Sequence, residues 1–421
     1  MANLFPNLSQ EILNIFQAIA DIGGEAFLVG GCVRDQFFGH NSKDIDIEVF
    51  GVSQAKLEGL LKPYGKVDTV GQSFGVTKLT TATQDYDFNL PRRERKQGVG
   101  HKGFDIEVDQ NMSVYEAGLR RDLTMNAIYY NPLTKEVIDN FGGVMDIEQV
   151  VLRHVSPKFA EDPLRVERLM QFAGRMSMLV AKETVALCKT LIPEFGTISK
   201  ERHWIEFEKL MRKGKEIGYG LVALSKTGWI VNFPQLDNLG WDWMNIFNLG
   251  MTVDNMKDWA KRNNIKGDEL LTQMFATLCY KMSNPLGFMV QIDAPKKIQK
   301  KVVELCNIGH FLMEDDKEWG EKTLGDFKKT LSDAKHNSLR ELKVFLEGIS
   351  RELYEKRWNY TMRRLDSITE ENITPRIVGQ DLLDRGWKPS KEFGQELKRL
   401  FDIQLREDAS REELLDMINE P

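Results

Sequence analysis

Cysteine and histidine are both scarce in this chain, long apolar runs are missing, and basic residues are not in excess. The four cysteines (Cys32, Cys188, Cys279 and Cys306) are far apart and form no CxxC pair, which argues against a disulfide framework or a cysteine zinc site and favours a reducing cytoplasm. Only six histidines are present, and no uninterrupted apolar stretch reaches the length of a membrane span. The N-terminal "MANLFPNLSQE" lacks a basic-then-apolar leader, so a cytoplasmic protein with no membrane partner is expected. The formal net charge of -6 counts against a general nucleic-acid binder. A single basic concave face on an acidic protein stays compatible with it. Repeats at solenoid periods and low-complexity tracts are also missing.

What is present reads as an ordinary globular composition, 42% hydrophobic and 29% charged over 421 residues. Residues 9–22, "SQEILNIFQAIADI", put Ile12, Ile15, Phe16 and Ile19 on one helical face. Short β-type runs follow: "AFLVGG", "DIDIEVF", "GVTKLTT" and "YDFNLP". From about Glu148 strand signals nearly vanish, and "DPLRVERLMQFAGRM", "ETVALCKTLIPEF" and "RHWIEFEKLMRKGKE" read as amphipathic helices. The pattern predicts an α+β head, a small mixed sheet with helices over residues 1–150, followed by an all-α remainder. Pro and Gly make "VNFPQLDNLGW" and "NITPRIVG" the best joints within the helical part.

One short segment concentrates the chemistry: "LVGGCVRDQFFGHNSKDIDIEVF", residues 28–50. Strand alternation in "KDIDIEVF" sends Asp44 and Asp46 to one face and Ile45, Ile47 and Val49 to the other. Two carboxylates at that spacing can hold one or two Mg²⁺ ions for in-line phosphoryl transfer. Gly30 and Gly31 would end a strand, allow close backbone approach to phosphate and expose amides at the next helix start. Taken alone, a solvated strand with two surface aspartates is the better reading of the pair, and the metal-holding Asp-x-Asp of a glycosyltransferase is a second alternative. The GG-x-VRD element just upstream favours nucleotidyl transfer.

Over residues 26–175 the chain resembles the nucleotidyltransferase superfamily, and within it the class II CCA-adding enzymes (tRNA nucleotidyltransferases) and bacterial poly(A) polymerases. The likeness rests on four ordered motifs. Gly30, Gly31, Arg34, Asp35, Gly39, Asp44 and Asp46 form the first, and "RRDLTMNA" supplies Arg120, Arg121, Asp122, Thr124 and Asn126. "DNFGGVMD" carries Asn140 where proline is common, and "EDPLRVER" supplies Glu161, Asp162, Arg165 and Arg168.

The resemblance implies Asp44 and Asp46 as catalytic Mg²⁺ ligands, with Asp87 as a third carboxylate or a merely structural one. It implies nucleotide contacts by Gly30, Gly31, Arg34, Arg120, Arg121, Asp122, Asn126, Glu161, Asp162, Arg165 and Arg168. An internal role for the Arg34–Asp35 pair and helix capping by Asp122 and Asn126 are the competing readings. Asp162 and Arg165, three apart, should share a helical face, where a simple ion pair is the ordinary outcome. Yet cytosine and adenine both present an amino donor beside a ring-nitrogen acceptor, which a carboxylate and a guanidinium complement. Guanine and uracil reverse that polarity, so the protein itself would act as the template.

The implied layout is a nucleotidyltransferase head (1–150), a helical neck with the nucleotide-selecting helix (151–215), a helical body (216–345) and a tRNA-binding tail (346–421). The implied activity is addition or repair of the tRNA 3′-terminal CCA from CTP and ATP. The alternatives are a poly(A) polymerase or a partial CC- or A-adding enzyme. "VGQSFGV" stands where poly(A) polymerases carry a basic pair before Phe, which disfavours the first alternative. "PKKIQKK" and "RELYEKRWNYTMRR" could meet tRNA phosphates or be plain solvated faces. Tyr280 and Lys281 replace the His-Asp pair of the metal phosphohydrolase domain found in some relatives, so no such activity is expected.

The basic, glycine-rich "RRERKQGVGHKGF" (92–104) matches a loop that helps switch nucleotide specificity in the family. Shortening residues 95–102 should leave addition of the two cytidines largely intact and impair the terminal adenosine, because a purine needs a reshaped pocket. Gel analysis of stepwise products checks this; equal loss of both steps would assign the segment a general binding or folding role.

Overall fold

Ser9 opens the first helix by accepting a hydrogen bond from the Ile12 amide at 3.3 Å, and α1 (Gln10–Asp21) buries Ile12, Ile15, Phe16 and Ile19, the face expected from spacing. The computed structural model describes residues 4–5, 8–40, 44–68, 76–96, 104–237, 239, 242–313, 323–350 and 355–420. The chain divides into two compact units, residues 1–210 with 214–232, and residues 211–213 with 233–421. The division at 232/233 falls inside "VNFPQLDNLGW".

The first unit continues with β1 (Glu25–Val29), α2 (Gly31–Phe37), β2 (Ile45–Phe50) and α3 (Gln54–Leu61). Next come β3 (Lys66–Asp68), β4 (Val76–Thr80) and β5 (Asp85–Asn89), then β6 (Arg92–Lys96) and β7 (Phe104–Val108). α4 (Val114–Gly118), β8 (Tyr129–Asn131), β9 (Glu136–Ile138) and α5 (Gly143–Glu148) complete the head. Among the described residues the main sheet runs β3-β4-β5-β2-β1-β8-β9. β2 pairs antiparallel with β1 and parallel with β5, so the sheet is mixed, as expected. One expectation is corrected: the segment read as a loop from 92 to 104 begins and ends in an antiparallel pair of strands, β6 with β7. The period-two run "FDIEV" was the missed signal. Residues 97–103 lie outside the described residues, as does most of "VGQSFGV".

β2 is half-buried at its start and buried at its end. Ile47 and Val49 are fully buried on one face. On the other, Phe50 joins Phe27, Val29, Met112, Ala117 and Tyr129 in one cluster, with Phe27 edge-on to Phe50 at 5.9 Å and to Tyr129 at 6.0 Å. The acidic row of β2 therefore ends on an aromatic floor.

"DNFGGVMD" is a scaffold. Asp139 caps α5 by accepting the Gly143 and Val144 amides at 2.8 and 2.9 Å. A Cβ on Gly143 would stand 2.3 Å from the Thr124 carbonyl oxygen, so only glycine fits. Buried Asp146 accepts from the Thr124 hydroxyl at 2.7 Å and from Arg153 Nε at 3.1 Å, which pins the "RRDLTMNA" segment in place.

Four helices follow: α6 (Arg165–Met176), α7 (Lys182–Thr190), α8 (Lys200–Lys213) and α9 (Ile217–Lys226). α9 packs along α6. Glu167 on α6 is fully buried and accepts from His203 Nδ1 at 2.8 Å and Trp229 Nε1 at 3.0 Å, so its charge is met inside the core.

The second unit is helical throughout its described residues, with long helices at Trp243–Arg262, Gly267–Cys279, Lys296–Met313, Leu339–Ser350 and Lys391–Glu407. Tyr280 stacks on His310 at 4.6 Å and the Lys281 ammonium lies 5.2 Å from the Tyr280 ring centre, an aromatic packing arrangement. Of the basic stretches, Lys301 pairs with buried Glu341 and the Arg364 guanidinium lies 3.4 Å from the Tyr360 ring centre, while residues 351–354 lie outside the described residues. No described helix is long and apolar enough to cross a membrane.

Candidate active site

The turn between β1 and α2 begins at Gly30, whose φ of +73° a side chain would strain. A Cβ there would sit 3.4 Å from Arg121 Nη1 and 3.6 Å from Asp46 Oδ2. The glycine thus leaves open the space between a cation and a carboxylate. Asp44 stands exposed in the bend just ahead of β2, and Asp46 lies half-buried within it. Register sets Asp46 directly beside Asp87 of β5, and parallel pairing turns both side chains to one face. Burial pushes the Asp46 carboxyl above its ordinary value; Arg121 opposes this, and the Asp87 and Asp44 charges add to it. Carboxylates crowded in this way favour a cation.

Among the described residues no group of three or more His, Cys, Asp or Glu side chains is gathered to hold a metal. Mg²⁺ does not require one. It usually takes one or two carboxylates, with substrate phosphates and water completing the shell. The Asp44–Asp46 pair fits that demand.

Arg34 is buried. Its Nε and Nη2 donate to Asp35 Oδ1 at 2.8 and 2.6 Å, and Nη1 donates to Asn126 Oδ1 at 2.8 Å. Of the two roles the sequence left open, this geometry favours the internal one. Asn126 passes the interaction on, donating to Asp122 Oδ1 at 2.9 Å, and Arg168 grips Asp122 Oδ2 with Nε at 2.9 Å and Nη2 at 2.6 Å. Asp122 and Asn126 cap no helix: the short turn Thr124–Asn126 has Leu123 before it and no side-chain cap. The ring of Phe172 lies between the two ends of this chain, 5.1 Å from the Arg34 guanidinium carbon and 5.5 Å from that of Arg168.

Asp162 and Arg165 depart from expectation. Asp162 is not on a helical face with Arg165: it has extended backbone (φ −128°, ψ 101°), and α6 starts only at Arg165. Pro163 is the cause, since the residue before proline is driven from the helical region. The Asp162 carboxylate pairs with Arg202 of α8 at 2.8 Å. Arg165 donates to the carbonyls of Lys158 at 2.8 Å and Arg120 at 2.7 Å. Both side chains still face the same space, a cavity of about 460 Å³ lined also by Arg121, Asp122, Arg168, Arg202 and Glu206. Arg120 and Arg121 border a second cavity of about 240 Å³, with Glu48, Asn89 and Arg92. Glu161 ends the turn before Asp162, and its charge acts on Arg165.

Sequence reading missed Arg202 and Glu48. Nothing local to "RHWIEFEKLMRKGKE" marks Arg202, which reaches the site only through tertiary packing. Glu48 was legible: it continues the Asp44, Asp46 alternation. Its Oε2 accepts from Arg121 Nη2 at 2.7 Å and from the Tyr129 hydroxyl at 3.1 Å.

Residues 26–153 match the poly A polymerase head domain. A "Multifunctional CCA protein" of Xanthomonas campestris pv. campestris (strain B100) is 38% identical over 220 residues, covering 51% of this chain and 52% of the relative. The chain thus spans about half the length of the curated relatives it matches. A crystal structure of the Bacillus stearothermophilus CCA-adding enzyme in complex with CTP shares the fold, with a TM-score of 0.66 and 21% identity over 99% of this chain and 97% of that one. The Thermotoga maritima CCA-adding enzyme complexed with tRNA superposes with a TM-score of 0.70 at 18% identity, over 99% and 96% of the two chains.

Against the burial that would raise it, Arg168, Asn126 and Arg165 hold the Asp122 carboxyl well below the usual range. A depressed folded value stabilises the fold above the unfolded value of about 4, and the contribution is lost as pH falls below it. Asp122→Asn should destabilise the first unit by less than the roughly 3–5 kcal/mol of a fully buried pair, since Arg168 is one-third exposed. The variant should also flatten the acid limb of the stability profile. Denaturant titrations between pH 3 and 7 check both; an unchanged acid limb would contradict the assignment.

Proposed function

We propose, for a chain that belongs to the tRNA nucleotidyltransferase/poly(A) polymerase family, that it builds or repairs the 3′-terminal CCA of tRNA from CTP and ATP without a nucleic-acid template. The observation that carries this reading is the cavity in which Asp162 and Arg165 lie together beside Asp122 and Arg168. An acceptor beside a donor suits the edge that cytosine and adenine share and mismatches guanine and uracil; "VGQSFGV", in place of a basic pair before Phe, disfavours a polymerase serving adenine alone. The relatives named as CCA proteins and CCA-adding enzymes support the same substrate class. We infer cytoplasmic location, and the division of labour into head (1–150), neck (151–215), body (216–345) and tail (346–421), from the resemblance.

Asp44 and Asp46 would hold the divalent cation that the nucleotidyltransferase family employs, here Mg²⁺, with Asp87 beside them. That ion supplies activation of the tRNA 3′-hydroxyl and neutralisation of the triphosphate. Gly30 and Gly31 leave room for the phosphates, and Arg120 and Arg121 offer them positive charge. Arg34 acts from behind: by fixing Asn126 it sets Asp122, and through Asp122 it sets Arg168. Asp162 accepts from the amino group of either base, oriented by Arg202, while Arg165 donates to the ring nitrogen. Excluding water from this contact makes a mismatched base edge costly.

Two outcomes follow. Asp44→Ala or Asp46→Ala should abolish nucleotide addition while leaving tRNA binding nearly intact, measured by primer extension and filter binding. Near-normal incorporation would remove both from the ligand set. Asp162→Ala should raise use of UTP and GTP, and Arg165→Ala should lower use of CTP and ATP together. The change in discrimination should be about ten- to hundredfold. Incorporation of each triphosphate, read beside the melting temperature, decides the matter: a lower melting point with unchanged selectivity would leave these residues only structural.

A further inference from the structure

Glu48 follows Asp46 on the same face of β2, one strand repeat deeper and only 8% exposed. It forms a closed ring of contacts with two neighbours. Arg121 Nη2 donates to Glu48 Oε2 at 2.7 Å, Arg121 Nε donates to the Tyr129 oxygen at 3.4 Å, and the Tyr129 hydroxyl donates to Glu48 Oε2 at 3.1 Å. The guanidinium also lies 5.4 Å from the centre of the Tyr129 ring and donates through Nη1 to the Asn126 carbonyl at 3.3 Å. Yet the same Nη1 and Asp46 Oδ2 flank one point, the position of a Cβ on Gly30, at 3.4 and 3.6 Å. Arg121 thus stands between two carboxylates and is paired with the deeper one. A guanidinium released beside Asp46 would form a charge-assisted pair with it, since that geometry is among the strongest available to arginine.

We propose that Glu48 is a positioning residue: with Tyr129 it holds Arg121 away from Asp46 and so leaves that carboxylate available to a divalent cation. The inference rests on Asp46 being a cation ligand, as read above. Its consequence is a coupling. Removing the Glu48 charge lets Arg121 turn to Asp46 and compete with the metal; removing Arg121 as well takes the competitor away. Simple loss of negative field would instead weaken metal binding by the same factor whether Arg121 is present or not.

Mn²⁺ titration of the full-length protein without nucleotide, read by the electron paramagnetic resonance signal of free Mn²⁺, separates these cases. Glu48→Gln, which keeps the side chain's shape, should weaken Mn²⁺ binding about tenfold, as is usual for a partner one shell out from a metal. In an Arg121→Gln background the same substitution should change affinity less than twofold. Tyr129→Phe alters no charge but loosens Arg121, and should weaken Mn²⁺ binding by a smaller factor. Equal weakening by Glu48→Gln in both backgrounds, or no weakening by either single variant, would overturn the proposal. Asp46→Asn is run alongside. If it leaves Mn²⁺ affinity unchanged, the ligand reading itself fails and the proposal with it; if it weakens binding while the coupling is absent, the positioning role alone is rejected.

Discussion

The site depends on one buried polar chain: Asp35 to Arg34, Arg34 to Asn126, Asn126 to Asp122, Asp122 to Arg168. Its members come from α2, from the turn after α4 and from α6. Each link satisfies a group that would be expensive to bury alone. Asp122 shows the cost most clearly, being 8% exposed with one oxygen on Arg168 and the other on Asn126 and its own neighbour's amide. The two ion pairs of this polar chain are joined through the neutral Asn126, so the glycine turn and the start of α6 are tied to each other. Phe172, set between the two terminal guanidinium groups, adds cation–π contact and fills the space.

That fixed frame divides the chemistry. The proposed metal chemistry falls on β2, where the half-buried Asp46 lies beside Asp87 of the neighbouring strand and the row then sinks through Glu48 into aromatic packing. In the proposed function the base is read at the segment before α6, where Pro163 breaks the helix early and Asp162 pairs with Arg202. Were Asp162 helical, the ordinary i,i+3 pair with Arg165 would occupy both groups. The proline leaves each with its own protein partner on the cavity wall.

Much of the frame was legible before any coordinates. Helical spacing gave the buried face of α1, and period-two alternation gave the buried Ile47 and Val49 of β2, because both depend only on local geometry. The mixed sheet followed from short strand runs with turn residues between them. What the sequence hid were contacts between distant segments. Both readings of Arg34 stayed open because its partner Asn126 is far along the chain, and Arg202 had no local mark at all. The β6–β7 pairing was missed because arginine and lysine mask strand alternation, and the Asp-Pro step was given too little weight beside the helical spacing that follows it.

The central claim is that this protein chooses cytidine and adenosine by its own side chains at the end of tRNA. The direct measurement supplies tRNA lacking CCA with each nucleoside triphosphate alone and with CTP and ATP together, then sequences the 3′ ends. The account predicts cytidines from CTP alone, a completed CCA from the mixture, and negligible use of UTP or GTP. Long adenosine tracts from ATP alone, or addition that stops at CC with both nucleotides present, would contradict it.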